Sequence, residues 1–75
     1  MVVSKINWMK YDGVEDGMEA ITRVRYKDKG NVSNLYNDER GIRVKFYEDA
    51  KSIAPGQSAV FYEEDDVIGG GIIQR

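Results

Sequence analysis

Cysteine and histidine are both absent from this chain, proline occurs once and leucine once. Without cysteine there is no disulfide framework, no thiolate metal site and no thiol nucleophile, and without histidine the commonest general base near neutral pH is missing. Serine-triad, zinc and thiol chemistry are therefore excluded within the chain. No apolar run is longer than a few residues, far short of the ~20 that a membrane-spanning helix needs, and the N-terminus lacks the basic-then-apolar layout of a signal peptide. The setting expected from these absences is soluble, reducing and cytoplasmic, with no membrane contact and a monomeric chain.

What is present is a folding composition: 41% of the 75 residues are hydrophobic. A chain of this size buries only about 60% of its unfolded surface, which allows one thin core and no cavity for a cofactor and a substrate together. Valine and isoleucine together number 15. Such β-branched residues are stiff at χ1 and pack best on pleated surfaces, whereas helical domains lean on leucine and alanine. The composition predicts an all-β protein.

Apolar stretches of strand length, broken by Gly, Asn and Asp clusters, predict six strands. They run over Val2 to Met9, Met18 to Lys27, Val32 to Tyr36, Ile42 to Tyr47, Ala59 to Glu63 and Val67 to Gln74. In the second, Ala20, Thr22, Val24 and Tyr26 face one way and Ile21, Arg23, Arg25 and Lys27 the other. In the fourth, Ile42, Val44 and Phe46 face inward while Arg43, Lys45 and Tyr47 face out. Ser33 and Asn34 weaken the third strand and suggest an edge position. Pro55-Gly56 fits the two central positions of a type II turn, because Pro fixes φ near −65° and Gly supplies a positive φ. The Glu64-Asp65-Asp66 tip joins the last two strands as a hairpin. Six short strands cannot make a two-sheet sandwich with generous faces, but they can curl into one small closed or nearly closed antiparallel barrel, which removes exposed edges.

Gly69-Gly70-Gly71 reads as a corner or bulge of such a barrel, since a phosphate-cradling loop needs a helix to follow it and none does here. The acidic tip lacks the spaced ligands and glycine of a calcium loop, so no metal site is expected. Charge is uneven beneath the net value of −2: residues 1–18 sum to −1, residues 19–47 to +3 and residues 48–75 to −4. Arg23, Arg25 and Lys27 share one face of the second strand, and Arg43 and Lys45 one face of the fourth. Together they form a candidate basic patch for phosphate-backbone contact, flanked by Tyr47. The plain alternative is a face charged for solubility, which the pI near 5.0 favours on residue pattern alone. Trp8, Tyr11, Tyr26, Tyr36, Phe46, Tyr47, Phe61 and Tyr62 offer possible stacking platforms, with core or cross-strand packing as their default role. An interior ligand site has little room beside that aromatic complement.

The segment from Ala54-Pro55-Gly56-Gln57 through Ser58-Ala59-Val60-Phe61-Tyr62, followed by Val67-Ile68-Gly69-Gly70-Gly71-Ile72-Ile73, closely resembles the C-terminal end of bacterial tRNA-specific 2-thiouridylases of the MnmA type. Upstream, Ile6-Asn7-Trp8 is similar to that family's Leu-Asn-Trp element, Arg25-Tyr26-Lys27 to its Arg-Tyr strand and Val44-Lys45-Phe46 to its Val-x-Phe strand. At Asp28-Lys29-Gly30-Asn31-Val32-Ser33-Asn34 the chain departs from the family's His/Lys, Pro- and Ala-rich stretch. The resemblance implies a single non-catalytic domain over residues 1–75, the C-terminal β-barrel of a larger enzyme, similar to the second-domain barrel of translation elongation factors. It implies a parent that thiolates the wobble uridine of certain tRNAs, with ATP and paired cysteines confined to the catalytic domain. This chain would hold no catalytic, cofactor-binding or metal-binding residue. Its expected partners are tRNA, through Arg23, Arg25, Lys27, Arg43 and Lys45, and the catalytic and central domains of the same polypeptide. An interaction barrel that packs on those domains without touching RNA is the competing expectation.

Overall fold

Alternating inward and outward residues become strands because each strand gains a dry face only when its neighbours supply the other side. The computed structural model describes residues 1–24, 30–47 and 56–74. Within them lie six strands: β1 (Val2–Trp8), β2 (Met18–Arg23), β3 (Asn31–Asp38), β4 (Gly41–Phe46), β5 (Ser58–Glu63) and β6 (Asp66–Gln74). They close in the order β1-β4-β3-β2-β5-β6, every neighbouring pair antiparallel. The expected all-β, six-stranded barrel is what forms. No helix among the described residues is long and apolar enough to cross a membrane.

The interior is filled by Val3, Leu35, Ile42, Val44, Phe61, Ile68 and Ile73, with Ala20 and Ala59 between them. Phe61 is the largest fully buried side chain. Phe46 packs against this cluster but is only half-buried, at the end of β4, so it caps the core instead of anchoring it. Two hydroxyls are also inside. Ser33 donates its one proton to the Ala20 carbonyl at 3.0 Å, so the 2.7 Å contact between Ser33 and Thr22 must be donated by Thr22.

That hydroxyl pair explains a correction. β3 is not an edge strand: it pairs with β2 on one side and β4 on the other. Ser33 does not weaken it, because its polar group is satisfied indoors, and the Asn34 amide donates to the Gly17 carbonyl at 2.9 Å.

The three consecutive glycines do mark irregular pairing. The register of β1 against β6 shifts between Ser4 and Asn7, where Lys5 adopts φ 54°, and that of β5 against β6 shifts between Phe61 and Tyr62. A Cβ on Gly69 would lie 2.7 Å from the Asn7 carbonyl oxygen, and one on Gly70 2.6 Å from that of Ala59. On Gly71 it would strike the Ser4 carbonyl oxygen. Backbones approach so closely here that no side chain fits. Gly56 has φ +90°, as the expected turn requires, and its N–H donates to the Ile73 carbonyl at 2.9 Å. Pro55, the other half of that turn, lies outside the described residues.

One mouth of the barrel is closed by the segment between β1 and β2. Lys10 Nζ reaches Glu63 Oε1 at 2.8 Å and Asp66 Oδ2 at 3.0 Å, and the Tyr11 hydroxyl donates to Glu63 Oε1 at 2.8 Å. At its far end Asp16 Oδ1 accepts from the Asn37 backbone at 2.8 Å and from its amide at 3.0 Å. These bonds lower the Asp16 and Glu63 pKa values below the usual carboxylate range and raise those of Lys10 and Tyr11. Lys10 thus bridges two of the hairpin's four carboxylates, and no group of three or more metal-ligating side chains converges among the described residues.

Candidate nucleic-acid interface

Closure places β4, β3 and β2 side by side on one wall of the barrel, with β5, β6 and β1 making the opposite wall. Because Ile42, Val44, Ser33, Leu35, Ala20 and Thr22 are buried, the residues between them must point out. Along β4 these are Arg43 and Lys45, along β3 Val32, Asn34 and Tyr36, and along β2 Glu19, Ile21 and Arg23.

Cross-strand register then fixes which of them meet. Arg43 lies opposite Tyr36, and its guanidinium carbon sits 4.7 Å from the centre of the tyrosine ring. Lys45 lies opposite Asn34, which in turn faces Glu19. Tyr47 follows, 61% exposed, and its hydroxyl donates to Glu19 Oε2 at 2.8 Å, a bond that raises the tyrosine pKa. Farthest along, Arg23 pairs with Val60 of β5 and lays its guanidinium 4.8 Å from the centre of the Tyr62 ring. Each such cation–ring contact is worth roughly 0.5–1 kcal/mol at an exposed position.

Of the five expected contact residues, the three that are described, Arg23, Arg43 and Lys45, are not one compact patch. Arg43 and Lys45 share a face of β4 as expected. Arg23 sits two strands away and six positions along the β3 register, roughly 20 Å at about 3.3 Å per residue. Arg25 and Lys27 lie outside the described residues. The wall is also not purely basic: Glu19 stands mid-way, and the Arg43 charge contributes to holding Asp16 and Asp38 below their ordinary carboxylate values, after the hydrogen bonds those groups accept.

Sequence reasoning gave the tyrosines a packing role by default and missed their pairing with arginines. The signal was the period-two phase: Tyr36 alternates with buried Leu35, and Tyr62 with buried Phe61, so both rings had to face outward. Among its described residues the wall offers two arginines, a lysine and an exposed ring.

The opposite wall is different in kind. Its outward positions hold Ser58, Val60, Tyr62, Gly70, Ile72, Ser4 and Asn7, with charge on Lys5 and, at the hairpin end, on Glu63 and Asp66. A shallow groove of about 370 Å³ runs across them and is bounded by the exposed Met9 and Val67.

Comparison with known proteins places these features in a family. The model of the aminomethyltransferase β-barrel domain matches residues 1–73. A tRNA-specific 2-thiouridylase MnmA of Amoebophilus asiaticus is 45% identical over 75 residues, covering 99% of this chain and 20% of that protein. The one from Cytophaga hutchinsonii is also 45% identical with the same coverage, and that of Caldicellulosiruptor saccharolyticus is 37% identical over the full chain and 21% of its own length. No solved structure matches. The chain spans about one fifth of the curated relatives it matches, and among them it corresponds to a β-barrel and not to a catalytic domain. With that match over nearly its whole length and a closed six-stranded barrel as its fold, the chain belongs to the aminomethyltransferase β-barrel domain family, in the form carried by tRNA-specific 2-thiouridylases.

Proposed function

We propose that this barrel is the non-catalytic, C-terminal tRNA-contacting part of a cytoplasmic, monomeric tRNA 2-thiouridylase, and that its β2–β3–β4 wall holds the RNA. One observation carries the reading: Arg23, Arg43 and Lys45 all emerge on that wall, while among the described residues of the opposite wall Lys5 is the one cation. Arg25 and Lys27 continue the alternation of Arg23 in the sequence and belong to the same set of candidates. Arginine and lysine on backbone oxygens orient an RNA without reading its bases. The barrel would position tRNA, while ATP and the sulfur-transfer chemistry belong to other domains of the polypeptide.

The test is salt-dependent binding of tRNA to the 75-residue chain. Small non-specific contacts give Kd values of roughly 10⁻⁴ M, and three phosphate contacts to unpaired strands predict a slope of about −2 in log K against log salt. The triple variant Arg23→Glu, Arg43→Glu, Lys45→Glu should bind at least tenfold more weakly at low salt. Equal affinity would remove the wall from the function. In a polypeptide that carries this barrel beside a catalytic domain, the same reversal should raise KM for tRNA and leave kcat intact.

The uncharged wall favours a second, compatible role. Interface cores are depleted of charge, and the groove across Gly70, Ile72 and Val60 has the low relief of a docking surface for neighbouring domains of the same polypeptide. Ile72→Lys would then weaken the whole protein more than the isolated barrel.

A further inference from the structure

The geometry of the charged wall points to the kind of RNA it takes. We propose that it binds unpaired nucleotides and not a double helix, with the Arg43 and Arg23 guanidiniums serving as stacking surfaces for splayed-out bases. This rests on the RNA-contact reading above and narrows it.

A guanidinium meets phosphates through its edge donors and bases through its flat face. Arg43 and Arg23 are each held against a tyrosine, at 4.7 Å from Tyr36 and 4.8 Å from Tyr62. Both arginines are exposed and both rings are half-buried, so each ring backs its cation and a base can reach the guanidinium from the solvent side. Bases in unpaired RNA stack on arginine planes in this way, whereas a duplex keeps its base faces covered.

The spacing agrees. The two rings lie four register positions apart, about 13 Å along the strand direction, and two strands apart across it, a span of a few extended nucleotides. Between them lie Lys45, a cation for the connecting backbone, and Tyr47, whose ring is 61% exposed. A double helix has a different requirement. It carries one charge per about 1.7 Å of axis and is held by dense cations. This wall supplies three cations among the described residues and sets Glu19 in their midst, bonded to the Tyr47 hydroxyl. A flexible strand can pass diagonally from Arg43 by Lys45 and Tyr47 to Arg23. A rigid duplex laid on the same wall would press phosphates onto Glu19.

The experiment compares the 75-residue chain on two fluorescently labelled probes, an unstructured uridine-rich 12-mer and a 12-base-pair RNA duplex, at low salt. The single strand should bind at least tenfold tighter. The variant Arg23→Lys, Arg43→Lys keeps both charges and removes both planes; it should bind the single strand about tenfold more weakly with an unchanged salt slope, and the duplex as before. Tyr36→Leu, Tyr62→Leu, checked for an intact melting transition, should reproduce the selective loss by unseating the guanidiniums. The inference is overturned if the duplex binds as tightly as the single strand, or if the lysine variant binds the single strand like the original chain. Absence of salt-dependent binding to either probe would overturn the RNA-contact reading beneath it as well.

Discussion

On the β2–β3–β4 wall the outward positions hold two arginines, a lysine, a tyrosine and one glutamate beside Ile21, Val32 and Asn34; across β5–β6–β1 they are mostly glycine, serine, asparagine, valine and isoleucine, with Tyr62, a single lysine, and Glu63 and Asp66 at the hairpin end. Both walls are made by the same alternation and share one core, yet they restrict substitution at different levels. Beneath the uncharged wall the backbones themselves are in contact, so Gly69 and Gly71 are set by packing. On the charged wall the outward side chains touch one another and solvent, so their identities are free of the core and available for binding. What separates the walls is where a new atom would go: into a carbonyl oxygen on one, into water on the other.

The largest expected effect tests the core that joins them. Phe61, fully buried under the uncharged wall, should lose roughly 3–5 kcal/mol on replacement by alanine, while half-buried Phe46 should lose clearly less. Equilibrium urea unfolding of the two variants decides the order, and a larger loss at Phe46 would break the comparison. Next comes Gly71→Ala. Its added methyl meets the Ser4 carbonyl, and overpacking of this kind costs typically 1–3 kcal/mol. Gly56→Ala meets no atom of the described residues and carries the strain of φ +90°, about 1 kcal/mol at the low end of such strain. Equal melting points for the two alanine variants would show that β6 is not held by close backbone approach.

Smaller in stability but decisive for function, Arg23→Glu, Arg43→Glu and Lys45→Glu should each move stability by no more than about 1 kcal/mol, the size of an exposed cation–ring contact. Their whole effect should appear in RNA affinity. A triple variant that unfolds would mean the charged wall is also structural.

The smallest effect is a pH dependence at the barrel mouth. Hydrogen bonds from Lys10 and then Tyr11 lower the Glu63 pKa below 4.5, so the contribution of this contact is present above that value and is lost as the pH falls through the lowered one. Lys10 is raised above 10.5, so its share is present below that pH and lost only in stronger base. The melting-point difference between the original chain and Lys10→Met should therefore be largest between about pH 5 and pH 10 and vanish near pH 2. A difference that persists in acid would show that Lys10 acts through its aliphatic stem alone.

Much of this arrangement could be read along the chain. Alternation in Ile42-Arg43-Val44-Lys45 and in Ala59-Val60-Phe61-Tyr62 identified strands and their dry faces, and β-branched excess identified the class. The misplacement of β3 at an edge had a definite origin: Ser33 and Asn34 look unfavourable in a buried strand until Thr22, Ala20 and Gly17 are brought up to satisfy them. The Lys10 clamp joins residues more than fifty positions apart, and nothing local to either partner announces it.

By itself the sequence determined that the chain would be a strand-built domain without thiol or imidazole chemistry, which residues would face inward, and that its cations would cluster in the middle third. These are local facts, set by residue type and by a two-residue period within single strands. Only the tertiary structure decided that β3 would lie between β2 and β4, that Arg23 would stand about 20 Å from Arg43, and that each would find a tyrosine to lie on. Strand order and register are not properties of any one segment. They are settled when all six strands must close on one core with every backbone group paired, and glycine at residues 69–71 is where that closure leaves no room for a side chain.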